Sequence, residues 1–138
     1  MPRVTLSDEA RSAMADAIRI LIDAGSEPGT ISFYGGSQPK TKYEEPEPRA
    51  LLAMLHLSKP CAGPAIKGEL IFGPIEEASA IATEKATWAR IMSGDGTVIY
   101  DVDVGTHGAS INMSSVDFEK GGPVKLMAFN FTIPARGE

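Results

Sequence analysis

Residues 87–104 read Thr-Trp-Ala-Arg-Ile-Met-Ser-Gly-Asp-Gly-Thr-Val-Ile-Tyr-Asp-Val-Asp-Val, and this stretch decides the fold class. Two runs rich in β-branched and aromatic residues flank Ser93-Gly94-Asp95-Gly96, whose Gly and Asp residues suit a tight turn. The second run alternates between two faces, with Val98, Tyr100, Val102 and Val104 on one side and Ile99, Asp101 and Asp103 on the other. The pattern predicts a β-hairpin.

Further strands are predicted on both sides of this hairpin, because apolar residues recur there at every second position or in short buried runs. The predicted segments are those around Ile31 and Phe33, residues 50–57, residues 66–72, one or two strands within residues 110–118, and residues 124–133. Gly and Pro residues separate them. About seven or eight short strands with such turns predict a mainly β protein, an antiparallel β-sandwich of the jelly-roll type.

One helix is predicted before the strands, at about residues 7–24. Ser7 is a suitable N-cap, Asp8 and Glu9 place negative charge in the first turn, and Gly25 is suited to end the helix. Apolar residues recur at spacings of three and four, which predicts one stripe that packs against the strands. The stripe consists of Ala10, Met14, Ala17, Ile18, Leu21 and Ile22.

The chain length of 138 residues suits one core, so we expect a single jelly-roll-like domain over residues 1–138. Residues 1–6 are expected to form a short extended arm, and residues 134–138 a polar tail. Hydrophobic residues at 43% and charged residues at 22% are typical of soluble proteins. No apolar run approaches membrane-spanning length and the first residues do not resemble a signal peptide, which predicts synthesis in the cytoplasm.

Composition also argues against several classes of function. The net charge of −5 without a cluster of Lys and Arg argues against a nucleic-acid-binding surface. Cys61 is the single cysteine, so an intrachain disulfide is excluded and a structural thiol is expected. His56 and His107 are the only histidines, too few for a cupin-type metal site, and no Gly-x-Ser-x-Gly motif occurs. We expect no catalytic residue and no cofactor.

Two small groups of residues could nevertheless form a binding site, one for a metal ion and one for a sugar. A metal ion could be bound by the oxygen and nitrogen ligands of Asp101, Asp103 and His107. Carboxylates at alternate positions are also typical of a solvated strand face, and this is the favoured interpretation. Aromatic rings can stack on sugars, and Trp88 and Tyr34 are the candidates. Alternation instead directs most rings, including Tyr100, Phe129 and Phe131, toward the core.

Residues 40–49 read Lys-Thr-Lys-Tyr-Glu-Glu-Pro-Glu-Pro-Arg and are predicted to form an exposed loop, because charge and Pro together oppose burial and strand pairing. A charged loop is often simply solvated, but it can also bind a partner of complementary charge. The candidate contact residues are Lys42, Glu44, Glu45, Glu47 and Arg49.

Several short segments carry a resemblance to a known family. They are Leu6-Ser7-Asp8-Glu9-Ala10-Arg11, Ala13-Met14-Ala15-Asp16-Ala17, Tyr34-Gly35-Gly36-Ser37-Gln38-Pro39, Leu51-Leu52-Ala53, Trp88-Ala89-Arg90 and Ser93-Gly94-Asp95-Gly96. Together they resemble the capsid cement, or decoration, proteins of tailed phages. The resemblance implies a jelly-roll protein without catalytic residues, located in the virion on the outer surface of an icosahedral shell. It further implies that the protein ties neighbouring major capsid protein subunits together, as a homodimer across local two-fold axes.

For such a protein we expect an edge strand or a terminal segment to add to β-structure of the capsid, with charged loops fixing the register. Three other functions remain open at the level of sequence. The first is a component of a phage tail or baseplate, and the second is a carbohydrate-binding adhesion module. The third is an enzyme that uses Asp101, Asp103 and His107.

Overall fold

The computed structural model describes residues 4–38, 51–126 and 129–134. In these residues one α-helix is followed by eleven short β-strands, so the prediction of a mainly β protein with an N-terminal helix is confirmed. The helix is α1 (Asp8–Ile22), and the strands are β1 (Thr30–Tyr34), β2 (Leu51–His56), β3 (Glu69–Ile71), β4 (Ala78–Ser79), β5 (Glu84–Lys85), β6 (Trp88–Met92), β7 (Val98–Gly105), β8 (Ile111–Asn112), β9 (Asp117–Phe118), β10 (Pro123–Val124) and β11 (Asn130–Thr132).

Five strands form a central sheet in the order β2-β1-β6-β7-β8. Its pairs are antiparallel except for β7 and β8, which run parallel over two residues. The sheet curls into a half-barrel, and three two-stranded ladders, β10-β4, β11-β3 and β5-β9, accompany it. This antiparallel-rich arrangement is consistent with a β-sandwich.

The hairpin predicted from residues 87–104 is present. β6 pairs with β7, with Ala89 opposite Val102 and Arg90 opposite Asp101. Ser93 N donates to Thr97 O at 2.9 Å to close the turn, and Gly96 adopts a φ of +89°. The alternation read from the sequence therefore corresponds to two real faces of the sheet.

One face of the sheet forms the core. Leu55, Ile31 and Ile91 lie side by side across β2, β1 and β6, and each is at most 1% exposed. In the next row, Phe33 packs edge-on against Phe118 of β9, with 5.6 Å between ring centroids. The strand pairing thus places the alternate apolar residues of three strands in a single hydrophobic layer.

The opposite face carries a buried ion pair, which corrects the expectation that Asp101 lies on a solvated strand face. Arg90 Nε donates to Asp101 Oδ1 at 2.8 Å, and its Nη2 donates to Oδ2 at 3.0 Å. The two side chains are 3% and 9% exposed. Because the guanidinium neutralises and binds both carboxylate oxygens, an acidic residue is tolerated in a buried position.

The helix begins as predicted, because the Ser7 hydroxyl accepts a hydrogen bond from Ala10 N at 3.1 Å. It ends at Ile22 with Asp23 as the C-cap, slightly before the expected boundary, and Gly25 follows with a φ of +99°. The expected inward stripe is wrong in three of its six members. Ala15, Ile18 and Ile22 pack inward, whereas Met14, Ala17 and Leu21 are exposed.

Polar side chains determine this orientation of α1. Ser12 Oγ accepts from Gly68 N at 3.1 Å, Asp16 Oδ1 from Ala65 N at 2.8 Å, and Asp23 Oδ1 from Cys61 N at 3.0 Å. These amides belong to residues 61–68, a segment with little strand pairing of its own. Because buried amides require acceptors, the polar side of the helix faces the body of the protein.

Two predicted strands are shorter than expected. Within residues 66–72, Ile66 and Glu69 exchange both backbone hydrogen bonds at 3.0 Å around Lys67 and Gly68, whose φ values are +51° and +81°. This two-residue turn leaves only β3 as a strand. Residues 124–133 contain the end of β10 and the whole of β11, and residues 127–128 between them lie outside the described residues.

The two predicted terminal segments are covered only in part. Residues 1–3 of the arm and residues 135–138 of the tail lie outside the described residues. Across the described ranges, no helix combines the length and the apolar character needed to cross a membrane.

Candidate partner-binding groove

The outer edge of β7 is a strand edge to which the described residues bring only a partial partner. β7 pairs with β6 along its length, but with β8 only at Val104 and Gly105. Val104 N donates to Thr87 O on the β6 side at 3.0 Å, whereas Gly105 O accepts from Met113 N on the β8 side at 2.9 Å. Since alternate residues direct their backbone groups to opposite edges, Asp101 and Asp103 direct theirs outward.

A groove of about 300 Å³ runs along this edge. Ser110, which comes just before β8, is one of its walls, so the groove lies on the β8 side of β7. The opposite wall is β11, which pairs only with β3 in the described part of the chain. The groove is lined by Tyr100, Val102, Ser110, Phe129, Asn130, Phe131 and Thr132. We call it the β7 groove.

The floor of the β7 groove is aromatic and uncharged. The rings of Tyr100 and Phe131 are in contact, with centroids 5.0 Å apart. The Tyr100 hydroxyl is buried and has no hydrogen-bond partner among the described residues, and this burial raises the pKa of Tyr100. The phenol is therefore neutral at physiological pH, and the floor offers apolar contact.

The negatively charged Asp103 is bound to Ser110, one of the residues that line the groove. Asp103 Oδ1 accepts from Ser110 Oγ at 2.6 Å and from Ser110 N at 3.2 Å. These hydrogen bonds, with the side-chain bond the stronger, hold the pKa of Asp103 below its usual range. An extended chain lying in this groove would meet backbone groups that no described strand pairs, an apolar floor and the nearby exposed Asp103 carboxylate.

The structure does not assemble the metal site considered from the sequence. Asp101 is bound to Arg90, Asp103 to Ser110, and the exposed His107 has Thr106 Oγ1 3.2 Å from its Nδ1. Within residues 4–38, 51–126 and 129–134, no three or more His, Cys, Asp or Glu side chains form a group that could hold a metal ion. Each carboxylate already has a structural partner.

The rings considered for sugar stacking are buried. Trp88 is 1% exposed and Tyr34 is 9% exposed, and the two rings stack on each other at 4.4 Å with an interplanar angle of 14°. Trp88 Nε1 donates to Gly35 O at 3.2 Å. Because neither ring has a free face, the idea that they form a sugar-binding surface is wrong.

A cysteine can act as a nucleophile beside a histidine, and His56 lies five residues before Cys61, but these two residues are unsuited to nucleophilic catalysis. Cys61 is 1% exposed, and burial raises the pKa of its thiol to about 12. His56 lies at the end of β2 with its side chain exposed. A thiol that stays protonated is a poor nucleophile, so Cys61 is a structural core residue, as expected.

The predicted contact loop lies outside the described residues, whereas the β7 groove is formed by described residues. Lys42, Glu44, Glu45, Glu47 and Arg49 fall in residues 39–50, outside the described residues. The groove was not predicted, because Tyr100, Phe129 and Phe131 were expected to be core residues. Periodicity identifies the apolar face of a strand, but a free edge depends on the lengths of its neighbours.

Comparisons of the chain with protein-family models, with curated proteins and with solved structures found no match.

Proposed function

We propose that the protein is a structural virion protein, a capsid cement (decoration) protein that binds the outer surface of a tailed-phage head and ties neighbouring major capsid protein subunits together. The observation that carries the proposal is the β7 groove, where the outward backbone groups of Asp101 and Asp103 lie beside an open apolar channel. The class of partner, a major capsid protein, is taken from the resemblance of the sequence to capsid cement proteins. The role requires no reaction centre and no cofactor.

In this proposal an extended segment of the major capsid protein adds to the sheet at β7. Backbone hydrogen bonds to the outward groups of Asp101 and Asp103 provide affinity that depends little on sequence. Side chains of the added strand alternate, so every second one packs over Tyr100 and Phe131. The charged loop at residues 40–49 contributes a second contact that fixes register.

The finer architecture belongs to the same proposal. The half-barrel and its accompanying ladders form a jelly-roll-like sandwich, and two copies associate across local two-fold axes of the shell. Many copies act on one lattice, so modest contacts at each copy add up to a large effect on the stability of the head. A net charge of −5 keeps such an exposed surface soluble and disfavours contact with packaged nucleic acid.

The test uses heads stripped of the protein and then incubated with the wild-type protein or with variants at Ser110. Ser110→Trp fills the β7 groove, whereas Ser110→Ala removes the same hydroxyl and leaves the groove open. We expect the wild type and Ser110→Ala to restore resistance to heat and osmotic shock, and Ser110→Trp to bind at least tenfold more weakly.

Three outcomes would contradict parts of this proposal. Stripped heads that resist heat and osmotic shock as well as complete heads would falsify the cement role. Equal binding of Ser110→Trp and Ser110→Ala would exclude the groove as the contact. A copy number of six or a small multiple of six per particle, instead of hundreds, would assign the protein to the tail.

A further inference from the structure

The outward face of α1 is apolar along its length. Between residues 9 and 24 the exposed residues are Glu9 and six apolar residues, which are Ala13, Met14, Ala17, Ile20, Leu21 and Ala24. Met14, Ile20 and Leu21 are 47%, 61% and 51% exposed. The half-buried Ala10 continues the same face toward the N-terminus.

This distribution is the reverse of a typical surface helix, whose polar side faces water. Three polar residues on α1 or at its C-cap face inward instead, where Ser12, Asp16 and Asp23 bind the backbone of residues 61–68. Three large half-exposed side chains with alanines between them form an apolar patch, and exposed apolar patches are associated with interaction sites. The patch is therefore suited to burial against a partner.

We propose that the partner is a second copy of the chain, and that two α1 helices pack antiparallel about a two-fold axis near Ala17. This inference rests on the dimer of the proposed function and names its surface. The apolar positions 10, 13, 14, 17, 20, 21 and 24 are placed symmetrically about residue 17. A two-fold axis covers such a patch completely only when it passes through the centre of the patch.

The side chains on this face fit close helix packing. Ala17 lies at the centre, where the two helices approach each other most closely, and its small side chain allows an interaxial distance near the short end of the usual 8–10 Å. The larger Met14, Ile20 and Leu21 lie on either side of it. They pack along both flanks of the pair and lose contact with water.

Charge selects the antiparallel orientation and favours a second copy as the occupant. Glu9 lies at the N-terminal end of the patch, and the Lys59 ammonium lies at the C-terminal end, where it donates to Gly25 O. Antiparallel pairing about Ala17 brings residue 9 level with residue 25 of the second copy, so Glu9 approaches its Lys59. Parallel pairing instead brings Glu9 next to Glu9, and it also aligns the helix dipoles unfavourably.

The first experiment measures self-association of the free protein by sedimentation equilibrium up to millimolar concentration. Ile20→Arg and Ile71→Arg form a matched pair, because both isoleucines are 61% exposed and only Ile20 lies on α1. We expect the wild type and Ile71→Arg to dimerise, and Ile20→Arg to dimerise at least tenfold more weakly. Glu9→Lys should weaken the dimer, and adding Lys59→Glu to the same chain should restore it.

The second experiment determines orientation by disulfide trapping under mild oxidation. Ala17→Cys should crosslink to itself, and a mixture of Ala10→Cys and Ala24→Cys should give the mixed disulfide. Ala10→Cys alone should stay monomeric, because its two copies are about 21 Å apart in the antiparallel pair. The native Cys61 is buried, so it does not interfere.

The outcomes separate this inference from the proposed function. A wild type that stays monomeric up to millimolar concentration, equal dimerisation of Ile20→Arg, or self-crosslinking of Ala10→Cys overturns the antiparallel α1 pair. If the Ala17→Cys protein crosslinks as a dimer but does not restore the resistance of stripped heads to heat and osmotic shock, the cement role is wrong. The α1 pair is not contradicted by that result.

Discussion

Among the individual residues, Arg90 and Asp101 form an ion pair that is almost completely removed from solvent. Both side chains are nearly buried, and Arg90 Cζ also lies 5.4 Å from the centroid of the Trp88 ring. Buried charges cost solvation free energy, so they are stable only when they are fully bound. The pair therefore links β6 to β7 by charge-assisted hydrogen bonds. Removing either side chain leaves the other as a buried charge without its counter-ion.

We predict that Asp101→Asn lowers the free energy of unfolding by about 3 kcal/mol, because the buried guanidinium loses the charge that balances it. The double variant Arg90→Leu and Asp101→Leu removes both charges and should recover most of this loss. Urea denaturation followed by Trp88 fluorescence measures both values. If the single and double variants are equally unstable, packing rather than charge determines this site.

The Asp16 carboxylate makes the stability of the contact between α1 and residues 61–68 depend on pH. The hydrogen bond from Ala65 N, together with Arg19, holds the pKa of Asp16 below its usual range. A carboxylate whose pKa is lowered by folding stabilises the protein above its ordinary pKa, and this contribution is lost as the pH falls. The docking of the helix is thus stronger at neutral pH than in acid.

For Asp16→Ala we predict a loss of about 1–2 kcal/mol in the free energy of unfolding at pH 7. The difference from the wild type should shrink as the pH falls below about 4, the ordinary pKa of an aspartate, and should be smallest where Asp16 of the folded protein is protonated as well. Urea titrations at pH 7, 5 and 3 give the profile, with exposed Glu77→Ala as the control. A difference that stays constant over this range contradicts the electrostatic origin.

At the scale of elements, the β6–β7 turn packs against the segment that follows α1. A Cβ atom on Gly94 would lie 1.8 Å from Glu27 O and 2.5 Å from Glu27 C, both of them backbone atoms. Backbone cannot move away as easily as a flexible side chain. The absence of a side chain at Gly94 therefore allows the hairpin and the helix-to-β1 connection to come together.

Gly94→Ala is predicted to lower the free energy of unfolding by at least about 2 kcal/mol, because the new methyl group forces the two segments apart. Gly63→Ala is the matched control, since a Cβ there meets no atom within 4 Å. Thermal and urea denaturation of the two variants give the comparison. Equal stability of both variants would contradict the close approach at Gly94.

At the scale of the whole molecule, Cys61 joins the helix to the β-structure. Its amide donates to Asp23 at the end of α1, and its side chain belongs to the same apolar core as Ile31 and Phe33. A reagent can reach the thiol only when this core opens. The only cysteine of the chain is therefore a reporter of the integrity of the whole fold.

Labelling with a thiol reagent tests this role of Cys61. In the native protein we predict slow labelling that accelerates in parallel with unfolding as urea is added, because the reactive thiolate is both buried and disfavoured. Ser26→Cys, at an exposed position, should label one thiol immediately and leave the second slow. Immediate labelling of the wild type contradicts the burial of Cys61.

The local features of this protein follow from residues that are close together in the chain. The Ser7 cap, the β6–β7 turn and the alternation along β7 were all predicted, because each depends on residues a few positions apart. The same holds for the mainly β character. Such features follow from hydrogen bonds and side-chain directions that the neighbouring residues already define.

Which surfaces stay open depends, in contrast, on contacts between parts of the chain that are far apart in sequence. The spacing of Met14, Ala17 and Leu21 indicated a buried stripe, yet the amides of residues 61–68 required acceptors and turned the polar side of α1 inward. Likewise, the edge of β7 is open because β8 pairs with it over only two residues. Both outcomes depend on backbone groups that are distant in sequence, whose hydrogen bonds must be satisfied once the chain is folded.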